Sequence, residues 1–384
     1  MHRYHRLGEI PAKRHVTLHG ADGKLRYEEL IGNRGFTGPS SLLYHLHLPT
    51  SIVASEFVKS TKPEAEPARD LRNRHFESSK LGGGASLTLD RVPVLFNSDV
   101  IFSIAKPSKT DDAFARNGQF DEVIYVAEGG GVLESAFGDL PYRQGDYVVV
   151  PRGIVHRFAI GEGVQRYLVF ESAGYVRAPK RYRGDHGQLL EGAPYSERDF
   201  RVPEKLRTHD EKGSFAILVK AHDALTRVTL DHHPFDVVGW DGHYYPFAFS
   251  IHDFEPKVGR VHLPPPVHQT FEAEGFVICS FCPRPYDFDK AAIPAPYSHT
   301  NAMSDEMIFY ASAEFMSRKG VAFGSITLHP DGLPHGPQPG RTEASIGAKW
   351  TDELAVMLDT FKPLHVAKDV LGAEDPNYWK SWSA

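Results

Sequence analysis

The sequence predicts a mainly β protein in which one small antiparallel barrel occurs twice. Of its 384 residues, 11% are aromatic, 34 are glycine and 28 are proline, a mixture that favours short strands joined by tight turns. Strand-like runs bounded by turn residues recur along the middle of the chain, and one sequence unit is repeated. The length also fits two domains or one duplicated architecture.

Five runs rich in β-branched and aromatic residues predict strands. Each run is bounded by Gly, Pro, Asn or Asp, as strands that end in turns are. The predicted strands are 122–126, Asp146–Val150, 167–170, Phe276–Phe281 and Glu306–Tyr310. Their spacing is typical of a sandwich or a barrel.

The two ends of the chain depart from this pattern. The first ninety residues mix polar turns with short apolar runs, and we expect them to wrap the core. Near the other end, residues 351–361 place four apolar side chains at helical spacing, which predicts a C-terminal helix. These side chains are Leu354, Met357, Leu358 and Phe361.

The repeat is the most informative feature of the sequence. The segments GDYVVVPRGIVH (145–156) and GSITLHPDGLPH (324–335) share Gly, Pro, Gly and His at identical spacing. Upstream of each segment an Asp-Glu pair opens a predicted strand, in DEVIYV (121–126) and in DEMIFY (305–310). The unit is a strand, a Pro-Gly turn and a second strand that begins with His, so a small barrel can aim Glu and His into one interior.

This arrangement resembles the cupin barrel, a double-stranded β-helix or jelly roll, and two copies resemble a bicupin. We therefore predict a mainly β fold of two cupin barrels with an N-terminal wrapping segment and a C-terminal helix. The predicted units are a wrapping segment at 1–90, a degenerate barrel at 90–172, a linker with extra strands at 173–235, a metal-binding barrel at 236–345 and a helical tail at 346–384.

The second copy of the unit holds a complete set of metal-ligand residue types. A facial-triad iron site needs two imidazoles and one carboxylate, with the remaining positions open. His299, Glu306 and His335 supply them, and His299 lies seven residues before Glu306. In the first copy the position seven residues before Glu122 is Ala115, so that barrel lacks one ligand.

Bland explanations compete with this one. Among 21 histidines, a single one is more often a hydrogen-bonded or surface group than a ligand. Glu122 and His156 of the first copy are equally well explained as a structural remnant that hydrogen-bonds inside its barrel. Asp305 competes with Glu306 for the carboxylate position, because adjacent strand residues face opposite sides. The longer side chain favours Glu306.

The composition excludes several classes of function. The net charge is -6 and basic residues are scattered, which argues against a nucleic-acid partner. The N-terminus has no apolar signal region and no stretch has the length of a membrane span, so we expect a soluble, cytoplasmic protein without a membrane partner. Cys279 and Cys282 are the two cysteines, which excludes a disulfide framework and predicts buried core thiols.

Four segments resemble the homogentisate dioxygenase family. They are LPYRQGDYVVVPRG (140–153), DVVGWDGHYYPF (236–247), HTNAMSDE (299–306) and LPHGPQPG (333–340). The resemblance covers most of the chain and is weakest in the first ninety residues. It implies a mononuclear Fe(II) enzyme that opens the ring of homogentisate, 2,5-dihydroxyphenylacetate, with O2. The product would be maleylacetoacetate, in tyrosine and phenylalanine breakdown.

The resemblance also implies roles for individual residues. The family's iron ligands fall on His299, Glu306 and His335, the three residues that the repeat selects. A catalytic histidine of the family falls on His262, with His268 as the alternative. A homo-oligomer, either a trimer or a hexamer, is also implied.

The substrate positions of the family are only partly retained. Substrate binding is implied for Tyr297, His329 and His335. His329 is equally compatible with a packing role. The chain has Ser312 and Ala313 where the family has Arg and Gly, and Phe315 where the family has Tyr. Because those positions lie near the substrate carboxylate in the family, ring cleavage is a firmer expectation than the exact substrate.

Three other functions are alternatives. A gentisate-type or other hydroquinone-cleaving bicupin is the first, although the gentisate group resembles a three-histidine site and Glu306 argues against it. A storage-type or sugar-binding bicupin would not need a complete triad. A metal-dependent isomerase on a cupin barrel would not consume O2.

Overall fold

In a computed structural model, the described part of the chain, residues 3–312 and 315–383, folds almost entirely into strands. The first ninety residues form β1 (His5–Gly8), β2 (Tyr27–Gly32), β3 (Ser40–His45), β4 (Ile52–Ser60) and β5 (Arg74–Glu77). The next residues form β6 (Val92–Phe96), β7 (Val100–Ala105), β8 (Phe114–Asn117), β9 (Asp121–Glu128), β10 (Gly130–Ser135), β11 (Leu140–Arg143), β12 (Asp146–Val150), β13 (His156–Ile160) and β14 (Arg166–Ser172).

The second half of the chain continues the strand pattern. It first forms β15 (Phe200–Arg201), β16 (Lys212–Ala221), β17 (Ala224–His232), β18 (Val237–Gly242) and β19 (Phe247–Ser250). It then forms β20 (Gln269–Ala273), β21 (Phe276–Phe281), β22 (Arg284–Pro285), β23 (Glu306–Tyr310), β24 (Ser325–His329), β25 (Trp350–Thr351), β26 (Ala355–Thr360) and β27 (His365–Val366). The mainly β prediction is confirmed, and each of the five predicted strands lies within an observed one.

Helices are short throughout the described residues. The α-helix α1 spans Arg341–Ser345. The 3-10 helices are Ser78–Lys80, Lys180–Tyr182, Glu197–Asp199, Ile251–Asp253, Pro265–His268, Lys368–Ala373 and Tyr378–Trp382. None of the described helices is long and apolar enough to cross a membrane.

The first cupin barrel forms between two large sheets. One has the strand order β15-β19-β12-β9-β14-β7-β6-β27, and the other has the order β11-β10-β13-β8-β16-β17-β4. Aliphatic and aromatic side chains from both sheets fill the space between them, among them Ile124, Val148, Phe114 and Phe158. This part of the interior is packed, while a cavity of about 450 Å³ borders Arg91, Glu122, Glu171 and Lys220 of the same barrel.

The second cupin barrel is built on one regular sheet of order β20-β21-β26-β23-β24-β5. The rest of its wall consists of loops, the β22-β25 pair and an isolated bridge between His299 and His335. Cys279 and Cys282, both buried and unpaired, lie in β21 and just after it. Cys279 faces the barrel interior and Cys282 the core on the opposite side, as the strand spacing predicts.

The two barrels share a core on their outer faces. Strand side chains alternate, so Ile124 of β9 faces the first interior while Tyr125 faces the shared core. In the same way Ile308 of β23 faces the second interior while Phe309 faces the shared core. The large sheets of the two barrels are thus packed back to back, and burial of this core fixes the register of the strands that carry the polar interior residues.

The backbone conformation explains why glycine occurs at the same positions of both copies. Gly145 and Gly324 have φ angles of +86° and +85°, and Gly153 and Gly332 have φ angles of +83° and +80°. An L side chain is strained in this left-handed region, whereas glycine is not. The same two turns therefore shape both copies of the unit.

The predicted C-terminal helix is wrong. Residues 355–360 form β26, a strand that pairs with β21 on one side and β23 on the other. Val356 and Leu358 face the shared core, while Ala355 and Met357 face the second interior. A strand covered on both faces is a continuous apolar run, and its residues satisfy a helical spacing by chance.

The sheets also cross the predicted unit boundaries. Strands β18 and β19, within the range 236–345, pair with β3 and β12 and not with the second barrel. Strand β5 from the N-terminal segment and β26 from the tail complete the second barrel instead. The N-terminal segment also joins β18 in a sheet of order β1-β18-β3-β2 and adds β4 to β17.

Candidate metal centre

Three side chains of the second barrel converge on one point. His299 and His335 lie opposite each other in an antiparallel bridge, with backbone N–H···O distances of 2.8 and 2.9 Å. Glu306 begins β23 and faces them. Its Oε2 lies 3.8 Å from His299 Nε2 and 3.7 Å from His335 Nε2. The structure thus brings together the three residues that the repeat selects.

Backbone carbonyls orient both histidines. His299 Nδ1 donates to the carbonyl of Tyr297 at 3.2 Å, and His335 Nδ1 donates to the carbonyl of Leu333 at 3.3 Å. A donated Nδ1–H leaves Nε2 without a proton, as a metal ligand requires. Both Nε2 atoms therefore point at Glu306 as lone-pair donors.

The second oxygen of Glu306 is held from behind. His329 Nδ1 donates to Glu306 Oε1 at 2.7 Å, and Arg318 Nη2 lies 4.0 Å from the same oxygen. Burial raises the pKa of Glu306, but interactions with His299, His329 and His335 outweigh it and hold the pKa well below its ordinary value. Glu306 is therefore an ionised carboxylate with Oε2 directed at the histidines.

These residues fit a divalent metal. One ligand atom from each of His299, Glu306 and His335 lies within 4.8 Å of the others. His335 Nε2 is buried and has no hydrogen-bond partner, an arrangement that is costly unless a ligand satisfies it. Two imidazoles and one carboxylate form the facial set used by non-haem Fe(II) oxygenases.

The first barrel has residues at the equivalent positions, but they do not form a complete set of metal ligands. His156 lies opposite Ala115, as His335 lies opposite His299, and no imidazole takes the third position. Glu122 instead forms a close ion pair with Arg91. Burial raises the pKa of Glu122, but the Arg91 guanidinium lowers it to about 2 overall. A buried ion pair thus occupies the place that the triad has in the second barrel, which fits the structural alternative for Glu122 and His156.

A cavity of about 370 Å³ opens from the triad to the surface. His299 and Glu306 line its inner end, and His335 closes the triad behind them. His262 and Tyr297 lie at the cavity wall with their rings 4.9 Å apart in an edge-to-face contact. Both side chains are largely exposed, at 40% and 55%.

His268 occupies a more enclosed part of the same cavity. Its ring lies 4.9 Å from the ring of Phe281, and its Nδ1 is buried without a hydrogen-bond partner. Burial, helped by nearby Arg284, lowers the pKa of His268 to about 3. A neutral imidazole at this point is therefore the stable form.

Some predicted residues lie away from the cavity. His329 is fully buried behind Glu306, and burial lowers its pKa to about 4. Asp305 faces away from the triad and accepts the backbone N–H groups of Asp331 and Leu364 at 2.7 and 2.6 Å. These placements match the packing alternative for His329 and the choice of Glu306 over Asp305.

The positions that depart from the family differ in their surroundings. Phe315 lines the cavity with its ring 4.9 Å from that of Tyr310. Ser312 accepts the backbone N–H of Leu354 at 3.1 Å and so anchors the start of the loop. Ala313 lies outside the described residues.

Six charged cavity residues were missed by sequence reasoning. They are Lys257, Arg284, Asp287, Arg318, Glu353 and Asp359. Arg284 donates to Glu353 at 2.6 Å, and Arg318 donates to the carbonyl of Gly336 at 2.8 Å. Burial and the nearby Glu306 charge raise the pKa of Asp359 to about 8.

Comparison with known proteins identifies the family. Residues 99–251 match the sequence profile of the homogentisate 1,2-dioxygenase N-terminal region. A provisionally named dioxygenase of Saccharolobus solfataricus is 42% identical over 383 residues, which is 99% of this chain and 98% of that protein. The homogentisate 1,2-dioxygenase of Nitrobacter hamburgensis is 29% identical over 263 residues, which is 64% of this chain and 57% of that enzyme.

Among solved structures, the Cupin 2 conserved barrel domain protein of Leptotrichia buccalis aligns over 79% of this chain and 98% of its own, at 11% identity and a TM-score of 0.32. A likeness of that size adds nothing to the fold described above. The Saccharolobus solfataricus relative extends over nearly the whole chain, both barrels and the triad included. The chain belongs to the homogentisate dioxygenase family and is a dioxygenase.

Proposed function

We propose that this dioxygenase uses Fe(II) to open the ring of a small aromatic dihydroxy compound, with homogentisate as the first candidate. The observation that carries the proposal is the triad of His299, Glu306 and His335 at the inner end of a cavity of about 370 Å³. An ion held by three protein ligands would keep coordination positions for other molecules, and the cavity borders His299 and Glu306. Fe(II) held there would bind a phenolic oxygen and O2 side by side and carry electrons from the ring to O2.

The chain itself supplies orientation and exclusion of water. Phe281, Ile308 and Phe315 form apolar parts of the cavity wall, against which an aromatic ring can pack. The fixed tautomers of His299 and His335, set by their carbonyl partners, keep the ligand atoms in place. The ring of the substrate would thus be held with one hydroxyl group towards the triad.

A proton must leave the substrate hydroxyl, and His262 is our candidate for the base. His262 lines the cavity, has no strong hydrogen bond in the described structure, and contacts Tyr297 next to His299. Histidine is suited to proton transfer near neutral pH. His268 is the poorer candidate, because a pKa of about 3 makes it a weak base.

Two basic side chains of the cavity wall can pair with an anionic substituent. They are Lys257 and Arg284, which also donates to Glu353, and Asp287 lines the same cavity. These cations supply positive charge to a cavity whose family Arg and Tyr are replaced by Ser312 and Phe315. A dihydroxy compound with a carboxylate side chain therefore fits the cavity better than a neutral hydroquinone.

The alternatives make different demands on the site. A gentisate-type enzyme with three histidines would not need Glu306, and a storage protein would not need the open triad. An isomerase would need the metal but not O2. The homo-oligomer expected from the resemblance stays a prediction.

The decisive experiment is anaerobic reconstitution with Fe(II), followed by O2 uptake and ultraviolet spectra with homogentisate and, in parallel, gentisate. We expect rapid uptake and a maleylacetoacetate-like absorbance with homogentisate alone. Uptake with gentisate or another hydroquinone alone would assign the changes at Ser312 and Phe315 to a new specificity. No uptake by an iron-loaded protein with either compound would overturn ring cleavage of these hydroquinones.

The role of His262 needs a separate variant. We expect His262→Gln to retain iron and to lower turnover per iron by about 100-fold, the usual effect of losing a general base. Loss of iron with unchanged turnover per iron would instead make His262 a structural residue. The matched control is His222→Gln, because His222 is in the turn between β16 and β17 and does not line the cavity.

A further inference from the structure

We propose that Asp359 contacts the substrate by a hydrogen bond to one of its ring hydroxyl groups. This inference rests on the proposed function. Asp359 of β26 lies directly opposite Glu306 of β23 in the antiparallel ladder. Residues opposite each other project to the same face, with Cβ atoms about 4.5–5.5 Å apart. Asp359 therefore points into the cavity from the strand next to the one that carries Glu306.

The carboxyl group of Asp359 has no partner of its own. It lines the cavity, its Oδ1 is buried without a hydrogen bond, and no salt bridge to it occurs among the described residues. A buried polar atom without a partner destabilises the fold, so a carboxyl group kept in such a place needs another explanation. A ligand that enters the cavity can supply the missing partner.

In the first barrel the residue equivalent to Asp359 has a structural role. Glu171 lies opposite Glu122, as Asp359 lies opposite Glu306. Glu171 accepts from Lys220 Nζ at 2.7 Å and from Asn117 Nδ2 at 2.8 Å, and Arg91 lies 3.3 Å away. The first barrel satisfies its second acid with protein groups.

In the second barrel those protein groups are absent around the acid. Both acids border a cavity, of about 450 Å³ at Glu171 and about 370 Å³ at Asp359, but only Glu171 has Lys220 and Asn117 as hydrogen-bond partners there. The acid has been retained while its structural partners have not. That difference indicates a role toward what enters the cavity.

The chemistry favours a hydroxyl group as the partner. A hydroxyl group can donate to a carboxylate or accept from a carboxylic acid, so the contact forms in either state. A carboxylate on the ligand could accept only from a protonated Asp359 and would be repelled by the ionised Glu306 opposite it. The two acids therefore favour the hydroxylated edge of the ring, and the anionic side chain would pair with Arg284 or Lys257 of the cavity wall.

The test removes the Asp359 carboxyl group from the protein and single hydroxyl groups from the ligand, and compares the losses of affinity. Calorimetry on the Fe(II)-loaded protein without O2 measures the affinity for homogentisate, 2-hydroxyphenylacetate and 3-hydroxyphenylacetate, each analogue lacking one hydroxyl group. We expect Asp359→Ala to weaken homogentisate binding about tenfold, the effect of losing one buried hydrogen bond. For the analogue that lacks the contacted hydroxyl group, the substitution should change affinity less than about twofold.

Other outcomes would overturn the inference. An equal loss for all three ligands, or no loss for any, would remove the specific contact, and loss of bound iron would assign Asp359 to the metal centre. Should Asp359→Ala fail to fold, Asp359→Asn keeps the size of the side chain, and its effect must again be confined to ligands that carry that hydroxyl group. Failure of the wild-type protein to bind any of the three ligands would instead overturn homogentisate as substrate, and with it this contact.

Discussion

The two barrels begin from the same pair of buried acids and neutralise them differently. In the first barrel Arg91 contacts both Glu122 and Glu171, and Lys220 completes the compensation. In the second barrel Arg318 lies farther from the acid, 4.0 Å from Glu306 Oε1, while His299 and His335 face Glu306 Oε2. The first barrel thus compensates its acids with close ion pairs, whereas the second leaves the Glu306 oxygen that faces the histidines to the proposed metal.

The interiors of the two barrels also differ. The first barrel is packed with aromatic and aliphatic side chains from both of its sheets. The second barrel has a small apolar cluster, of which Ile308 and Met357 line the cavity. The other members are Val277, Cys279, Tyr310 and Ala355. The first barrel also borders a cavity, of about 450 Å³, but the acids in its wall are paired with Arg91 and Lys220. In the wall of the second cavity Asp359 Oδ1 has no hydrogen-bond partner among the described residues.

The largest expected effect separates the two glutamates. Glu306→Gln should lose both bound iron and O2 uptake to below detection, because a neutral amide is a poor ligand for Fe(II). Glu122→Gln, the matching change in the first barrel, should keep the iron content and the uptake per iron. Metal analysis and oxygen electrode traces on the two folded variants make the comparison. Equal loss of iron in both would mean that the barrels are not divided in this way.

Removal of the internal cation of the first barrel should destabilise the fold. Arg91→Met leaves Glu122 and Glu171 buried without a guanidinium, which costs about 3–5 kcal/mol when one partner of a buried pair is removed. Urea unfolding gives the free energy directly. The double variant Arg91→Met, Glu122→Gln should recover part of the loss, since one of the stranded charges is gone. A loss under about 1 kcal/mol would contradict the structural role.

A smaller effect concerns the support of the metal ligand. His329 lies opposite Glu306, and Val150 lies opposite Glu122 at the equivalent position of the first barrel. His329→Val should therefore lower iron affinity about 10- to 100-fold, as removal of a partner behind a ligand does. Competition with a chelator measures this affinity. The control His75→Gln alters a buried histidine bonded to Ser325 and should leave iron affinity unchanged.

The triad could be predicted because the repeat encodes it. Glu306 and His335 have counterparts at fixed spacing in the first copy, and that spacing reflects turns whose glycines have positive φ angles. The sequence also predicted that the first barrel lacks a third ligand, because Ala115 occupies the position opposite His156. Where chain geometry repeats, sequence comparison within one chain takes the place of an alignment.

The rest of the site could not be predicted for two physical reasons. Asp359 has a counterpart in Glu171, but its strand is apolar on both faces and its spacing mimicked a helix, which concealed the match. Arg284 and Arg318 reach the cavity from loops, and no periodicity specifies where a loop places its side chains. Arg91 lies outside the repeated unit, so the compensation of Glu122 had no sequence signal.

A third way to neutralise buried acids gives the last prediction. In the N-terminal sheet His45 contacts Asp236 at 2.7 Å and Glu29 at 3.1 Å. Burial lowers the pKa of His45, but hydrogen bonds from its ring to the two carboxylates raise it to about 9, against an ordinary value of 6.5. The folded protein therefore holds the proton more tightly than the unfolded chain. The contribution of His45 to the free energy of unfolding is complete below pH 6.5 and disappears as the pH rises through about 9.

We expect the free energy of unfolding to fall by about 2 kcal/mol between pH 7 and pH 9.5 from this group alone. Other groups titrate in that range, so the measurement is the difference between the wild-type protein and His45→Gln in urea at each pH. The variant should be less stable at pH 7, and the gap should close towards pH 9.5. A gap that stays constant with pH would mean that His45 is neutral, and that the two carboxylates are compensated in some other way.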